Sequence, residues 1–316
     1  MMRINVDECA KMLMEQDNIL ILTHAHPDGD TLGAGFGLCR ALLKTGKKAR
    51  VICADEIPSK YMSIFKELKM PEFEEDFIVA VDVATPNLLG DLCEKYENRI
   101  DLCIDHHKSN SEYAKKLLLD VDAAAACETI LEVVKKLGVE VDKEIADCLF
   151  TGISTDTGCF RYSSVTANTF KAAAELVELG AENGFINRIM FETKTKTYAA
   201  LERLAIEGMQ FFSNDRVCVI TITQDMYKQT GAKEHETEAI APLTRQIEGV
   251  EIGLTIREKP NGECKCSIRT FESVDAAKLA SFFGGGGHKQ AAACRLECSV
   301  EEAEKRLVAK CEELLK

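Results

Sequence analysis

The chain predicts a two-domain α/β protein: an N-terminal parallel sheet with helices on both faces, joined by a helical connector to a smaller mixed α/β C-terminal domain. Three observations carry this expectation. Apolar runs of strand length alternate with helix-period stretches through the first third of the chain, the pattern of parallel strands joined by crossover helices. Beyond Gly208 the runs become alternating or β-branched and meet at a hairpin-type turn. At 316 residues the chain also exceeds the size, roughly 250–300 residues, at which one core stops growing.

In order, an amphipathic helix over 5–16 precedes an apolar run at 18–23 that reads as a buried strand. A helix over 29–45 is stopped by Gly46, and strands follow at 48–53, 77–83 and 100–105 with helical stretches between them. From Ala126 the pattern is helical, over 127–137, 142–154 and 166–179, and Gly138 and Gly180 stand where helix C-caps use glycine. A polar-flanked helix over 195–207 reads as the connector. Strands are expected at 216–223, 250–258 and 263–271, the last two joined by Lys259-Pro260-Asn261-Gly262. A helix over 275–283 runs into Gly284-Gly285-Gly286-Gly287-His288, then come a strand at 291–297 and a final helix from Val300. The expected domains are 1–190 and 209–316, with 191–208 between them.

Composition narrows the function. A formal net charge of -13 disfavours a protein that holds long nucleic acid by neutralising many phosphates. No apolar run approaches the ~20 residues that span a bilayer, so no membrane partner is expected. Fourteen cysteines without metal-finger spacing, and no N-terminal signal segment, read as reduced thiols in a cytoplasmic protein. Cys264 and Cys266 alternate along one strand and share a face, with no second pair to complete a zinc site.

Four acidic and histidine-bearing segments carry the chemistry: Thr23-His24-Ala25-His26-Pro27-Asp28-Gly29-Asp30, Val81-Asp82-Val83, Asp105-His106-His107 and Ser154-Thr155-Asp156-Thr157. Each follows an apolar run or closes a helical one, where α/β proteins place reactive side chains. Taken singly each has a bland reading: a solvated turn for His24, Asp28 and Asp30, a helix end for Asp156. Yet Pro27 and Gly29 fix a tight path that aims the flanking carboxylates together. A carboxylate closing the apolar run at Asp82 needs a cation or exposure. Mixed imidazole and carboxylate donors suit manganese, iron, cobalt or zinc, and manganese best fits a set this rich in carboxylates. Two such ions could share a hydroxide and clamp a phosphoryl group during in-line attack.

In the second domain, Gly284 to Gly287 with His288 reads either as a linker or as a flexible anion nest of unhindered N–H groups, with Arg269 on the preceding hairpin. Arg161, just past Asp156, is a further candidate for phosphate or for simple packing.

Together these segments resemble the DHH phosphoesterase superfamily, named for the triplet Asp105-His106-His107, and the run from Phe283 to Ala292 resembles the signature of its DHH-associated C-terminal domain. Length and domain order look most like the bacterial oligoribonuclease/pAp phosphatase branch, the nanoRNase group. That resemblance implies a cytoplasmic, manganese-dependent phosphoesterase that hydrolyses short oligoribonucleotides to mononucleotides and pAp to AMP with hydroxide activated by two Mn2+ ions. It implies His24, Asp28 and Asp82 around one ion and Asp30, Asp82, His106 and Asp156 around the other, with Asp82 bridging. It assigns His107 to the scissile phosphate, and Arg269 and His288 to the far end of the substrate across the interdomain cleft, where the nest of Gly285, Gly286 and Gly287 is expected to grip that end. A phosphodiesterase for cyclic di-AMP or pApA is the alternative, a silent nucleotide sensor a second, and a homodimer is left open. The family signature usually ends Ala-Ala-Gly, whereas Ala291-Ala292-Ala293 stands here, a methyl that would narrow the nest or oppose a positive φ angle.

Overall fold

Contacts divide the chain into two units, Met1–Thr193 and Lys194–Lys316. The structure, a computed structural model, describes residues 2–65, 68–271 and 273–315, with the side chains of His235, Glu238 and His288 outside that description.

The first unit runs β1 (Met2–Arg3), α1 (Val6–Glu15), β2 (Ile19–Leu22), α2 (Gly29–Lys44), β3 (Ala49–Ile52), α3 (Ser59–Phe65), β4 (Phe77–Val81), α4 (Cys93–Tyr96), β5 (Leu102–Asp105), β6 (Lys116–Leu119), α5 (Ala126–Lys136), α6 (Lys143–Asp156), α7 (Ala167–Glu178) and α8 (Asn183–Asn187). Its six strands form one parallel sheet in the order β1-β6-β5-β4-β2-β3. Alternation sends Ile19, Ile21, Val79, Val81, Leu102 and Ile104 into a core shared with α1, α2, α5 and α6. Leu20, Leu22, Ile78, Ala80, Cys103 and Leu117 pack on the other face against Leu89, Tyr96 and Ile100. Both faces are therefore buried, which is why the strands read as unbroken apolar runs.

Because β3 lies on one side of β2 and β4 on the other, the sheet reverses its direction of growth there. The carboxyl ends of β2 and β4 flank that switch point, the place where α/β sheets open a crevice. Helix α2 lies close against α6 because Gly33 faces it: a methyl at Gly33 would sit 2.4 Å from the Cys148 carbonyl oxygen. Strands β1 and β6 were not expected from the sequence. They are two and four residues long, too short to carry periodicity, and are fixed by pairing with each other and with β5.

The second unit runs α9 (Lys196–Glu207), β7 (Gln210–Phe212), β8 (Val217–Ile222), α10 (Gln224–Thr230), a 3-10 segment (Glu234–Gln246), β9 (Ile252–Glu258), β10 (Cys264–Thr270), α11 (Ala276–Ser281), β11 (Gly286–His288), β12 (Ala291–Leu296) and α12 (Val300–Leu314). Helix α9, the expected connector, packs Tyr198, Leu201 and Ala205 on Ile220 and Ile222 within this unit. The strands form a mixed sheet in the order β11-β12-β10-β9-β8-β7, in which β8 and β9 run parallel. The expected turn closes the β9–β10 hairpin, with Gly262 at φ 81 and the Lys259 N–H donating to Glu263 O at 2.7 Å. One face of the sheet packs Leu254, Ile256, Cys264, Cys266, Ile268 and Cys294 against α11 and α12, so the paired cysteines are small buried hydrophobes. Among the described residues no helix is long and apolar enough to cross a membrane.

Candidate metal centre

The four acidic segments converge at the carboxyl end of the first unit's sheet. Backbone turns set their aim. Asp28 is the N-cap of α2, and its Oδ1 accepts from the N–H of Asp30 at 3.0 Å and of Thr31 at 3.1 Å. Thr31 Oγ1 donates to Val81 O at 3.1 Å and accepts from the His24 N–H at 3.3 Å, tying the end of β2 to the end of β4. His24 directs Nδ1 to Ala25 O at 2.8 Å, which leaves Nε2 facing Asp28 Oδ1 at 3.5 Å and Asp82 Oδ2 at 3.6 Å.

Asp82, just past β4, has φ 56 and is buried. Its Oδ1 lies 3.5 Å from His106 Nε2 and 3.4 Å from His107 Nδ1, yet it has no hydrogen-bond partner. His106 Nε2 also faces Asp156 Oδ2 at 3.5 Å and Asp30 Oδ2 at 3.8 Å. Asp30 also caps a helix. Its two oxygens accept from the N–H groups of Ala126 at 2.6 Å and Cys127 at 3.0 Å at the start of α5, whose own N-cap Ala125 has no side chain to do so.

Donor atoms therefore group in three overlapping sets, each within 4.8 Å: His24, Asp28 and Asp82; Asp82, His106 and His107; Asp30, His106 and Asp156. All six sequence-predicted ligands are thus brought together. The electrostatics show the crowding. Burial, then the Asp28 charge, pushes Asp30 up to about 6. Burial, then Asp30, pushes Asp156 up to about 7, and the same pair of causes holds Asp82 well above the usual carboxylate range. Burial opposes protonation of His24, but Asp28 and Asp82 overcome it and raise the imidazole to about 11. Without cations, protons must neutralise these carboxylates. The orphaned Asp82 oxygen and the mixed imidazole and carboxylate donors fit divalent transition ions.

Asp105, the first residue of the triplet, is fully buried and plays a different part. Its Oδ1 accepts from the backbone N–H groups of His106 (2.8 Å) and His107 (3.2 Å) and pairs with His107 Nδ1 at 2.8 Å, while Oδ2 accepts from Asn110 Nδ2 at 2.6 Å. The Asp105 hydrogen bond, opposed by burial and aided by Asp82, raises His107 to about 9 and leaves Nε2 as the ring's remaining donor. Sequence reasoning missed Asn110 and Thr31, whose roles arise from turns and carry no local signature.

Arg161 stands on the turn after α6, where Cys159 and Phe160 have φ 60 and 61, and its Nε donates to Gly158 O in that same turn. In the second unit, Gly286 and Gly287 belong to β11, paired with Ala293 and Ala292. The glycine run is thus ordered in part as an edge strand rather than a flexible nest or linker. A methyl at Gly285 would meet Ala293 O at 2.2 Å, so that glycine is required by close approach. Ala293 is a regular strand residue and is absent from the positive-φ positions, so its methyl meets no conformational objection. Arg269 lies on β10, and the side chain of His288 lies outside the described residues.

Residues 18–153 match the DHH family, N-terminal domain, and residues 214–316 match the DHHA1 domain. The bifunctional oligoribonuclease and PAP phosphatase NrnA of Thermus thermophilus is 31% identical over 287 residues, covering 88% of this chain and 84% of that protein. The cyclic-di-AMP phosphodiesterase PdeA of Listeria monocytogenes is 24% identical over 324 residues, and the match spans 48% of its length. Among solved structures, an exopolyphosphatase-related protein from Bacteroides fragilis superposes with a TM-score of 0.90 at 23% identity, covering 98% of this chain and 97% of that one. RecJ of Thermus thermophilus in complex with Mn2+ gives 0.56 at 15% identity, covering 98% of this chain and 54% of that one.

Proposed function

The chain belongs to the DHH family, and from that premise we propose that it is a divalent-metal phosphoesterase that hydrolyses short oligoribonucleotides to mononucleotides and pAp to AMP, with manganese as its ion. One observation carries the reading: buried Asp82, with an unpartnered oxygen, is common to two of three donor sets gathered at the switch point of the sheet. His24, Asp28 and Asp82 would hold one ion, and Asp30, Asp82, His106 and Asp156 the other. A bound pair supplies Lewis acidity, which acidifies water and draws charge from phosphoryl oxygens.

The chain's own residues do the rest. Asp105, steadied by Asn110, fixes the His107 ring and keeps it protonated, so that Nε2–H can donate to a nonbridging oxygen of the scissile phosphate as charge develops there. The end of α6 presents Asp156, and the cap on α5 holds Asp30 in place. Arg269 and the strand of Gly286 and Gly287 would grip the far end of the substrate, which suits short oligomers. A cytoplasmic setting fits fourteen cysteines that are all free thiols.

A silent sensor has no use for a complete ligand set, and this chain retains every member. The Listeria relative keeps cyclic di-AMP in view as a rival substrate, and pApA is the linear alternative. The deciding assay gives the purified protein, in manganese and in chelator, pAp, 5'-phosphorylated RNA of about two to five nucleotides, pApA, cyclic di-AMP and pyrophosphate. Turnover of short RNA and pAp in manganese alone is expected. Preference for cyclic di-AMP would move the assignment to the rival, and activity on pyrophosphate alone would overturn it.

A further inference from the structure

The entry to α5 supports two of the donor residues at once. Ala124, Ala125, Ala126 and Cys127 are buried there and carry no side-chain oxygen, so the N–H groups that a helix start leaves open must find acceptors elsewhere in the chain. Asp30 takes those of Ala126 and Cys127. Glu128, in the first turn of α5, turns its side chain back, and its Oε1 accepts from the Ala124 N–H at 3.1 Å. One residue earlier, Ala123 O accepts from His106 Nδ1 at 3.2 Å, which leaves His106 Nε2 facing Asp30, Asp82 and Asp156. The stretch 123–127 thus holds the Asp30 carboxylate by two bonds and the His106 ring by one.

The remaining supports lie elsewhere. His24 leans on Ala25 O, Asp28 on the N–H groups of Asp30 and Thr31, and Thr31 on Val81 O. None of those bonds passes through 123–127. Glu128 itself is 9% exposed, unusual for an acid in a first helical turn, where solvent ordinarily hydrates it. Its withdrawal from water is compensated by the Ala124 N–H and by the Thr169 side chain of α7.

We infer that Glu128 is a positioning residue for one ion of the pair: by fixing the entry to α5 it sets Asp30 and His106, and it leaves the site of His24, Asp28 and Asp82 to its own supports. The reach of its oxygen to the Ala124 N–H performs this role, and its charge does not. The inference deepens the phosphoesterase reading and rests on its two-ion assignment.

Two substitutions separate reach from charge. Glu128→Gln keeps an acceptor at the same distance without the charge, whereas Glu128→Asp keeps the charge and draws the oxygens back by one methylene. The test is calorimetric titration of the metal-stripped full chain with manganese. The wild-type chain and Glu128→Gln are expected to take two ions with affinities within about threefold of each other, and Glu128→Asp to keep the first ion at that level while the second binds about tenfold or more weakly, the usual effect of losing a group that orients a ligand. Equal weakening of both ions, no weakening of either, or a Gln variant as impaired as the Asp variant would overturn the inference.

A wild-type chain that takes fewer than two ions sinks the two-ion assignment instead. The positioning role is then judged in chelator from the imidazole nitrogen resonances: Glu128→Asp should displace those of His106 and leave those of His24 in place, and displacement of both alike or of neither overturns it. Should Glu128→Asp not fold, hydrogen exchange of the wild-type chain decides. The amides of 124–127 should gain protection with the second equivalent of manganese and not with the first; a gain with the first, or none, counts against Glu128.

Discussion

Asp82→Asn separates electrostatics from geometry at the centre of the site. Asparagine keeps the shape and tolerates the left-handed backbone of φ 56, which alanine would adopt only under strain. In the metal-free protein the change removes a buried carboxyl within 4.8 Å of Asp28 that must either carry its charge there or take up a proton, and either is unfavourable. At an effective dielectric near 20, two carboxylates at that separation repel by ~3.5 kcal/mol, offset in part by His24. A net gain of ~1–2 kcal/mol would raise the melting temperature in chelator by ~2–8 °C for a unit of this size. In manganese the sign reverses, because the carboxylate common to two donor sets is gone. A loss of ~4 kcal/mol in transition-state stabilisation corresponds to ~10³-fold in turnover. The assays are thermal melts with and without manganese and steady-state hydrolysis of pAp. Wild-type turnover, or an undiminished thermal shift on adding manganese, would refute the shared-ligand reasoning.

Three further outcomes follow from the same geometry. His24, raised to about 11, Asp156, raised to about 7, and Asp30, raised to about 6, must all be deprotonated to ligate, so manganese affinity should increase from pH 6 to pH 8 by at least ~tenfold per unit, with proton release visible by calorimetry in two buffers; a flat profile contradicts this. Asn110→Ala removes the 2.6 Å donor to Asp105 and should lower kcat by ~tenfold or more while metal content stays at the wild-type level; loss of metal instead would assign Asn110 to the ligand scaffold. In Gly152→Ala the new methyl would lie 2.2 Å from Cys127 Sγ and 2.7 Å from Asp30 Oδ1, costing ~1–3 kcal/mol in a melt and weakening metal binding, and adding Cys127→Ala should restore part of both.

Much of the first unit was legible because its central strands are buried on both faces. Runs such as 18–23 and 77–83 need no partner to be recognised as strands, and the helices between them announce a parallel sheet. The edge was not legible: β1 exists only through its register with Lys116 and Leu117, which no local pattern encodes. The glycine run posed the opposite problem. Four glycines carry no side-chain preference, so only the pairing of Gly286 to His288 with Ala291 to Ala293 decides that part of the run is strand.

The site divides along the same line between what a motif records and what a register creates. His24, Asp28, Asp30, Asp82, His106 and Asp156 lie at ends of predicted elements, where an ionisable side chain after an apolar run has few structural excuses. Asp105 also belongs to the triplet, yet its oxygens are consumed by two backbone N–H groups, His107 and Asn110, and spacing gives no warning that the first letter of the motif orients rather than ligates. Arg257 is harder still. A charged residue at the end of a hairpin strand reads as solvated surface, and its burial comes from Lys265 and Ile222 on the neighbouring strands, Ser267 on β10 and Thr237 on the 3-10 segment. Ligand residues recognise a chemistry common to many sequences and so recur as motifs. A residue such as Arg257 is placed by the packing of one fold, and its only signal is a buried donor left without an acceptor.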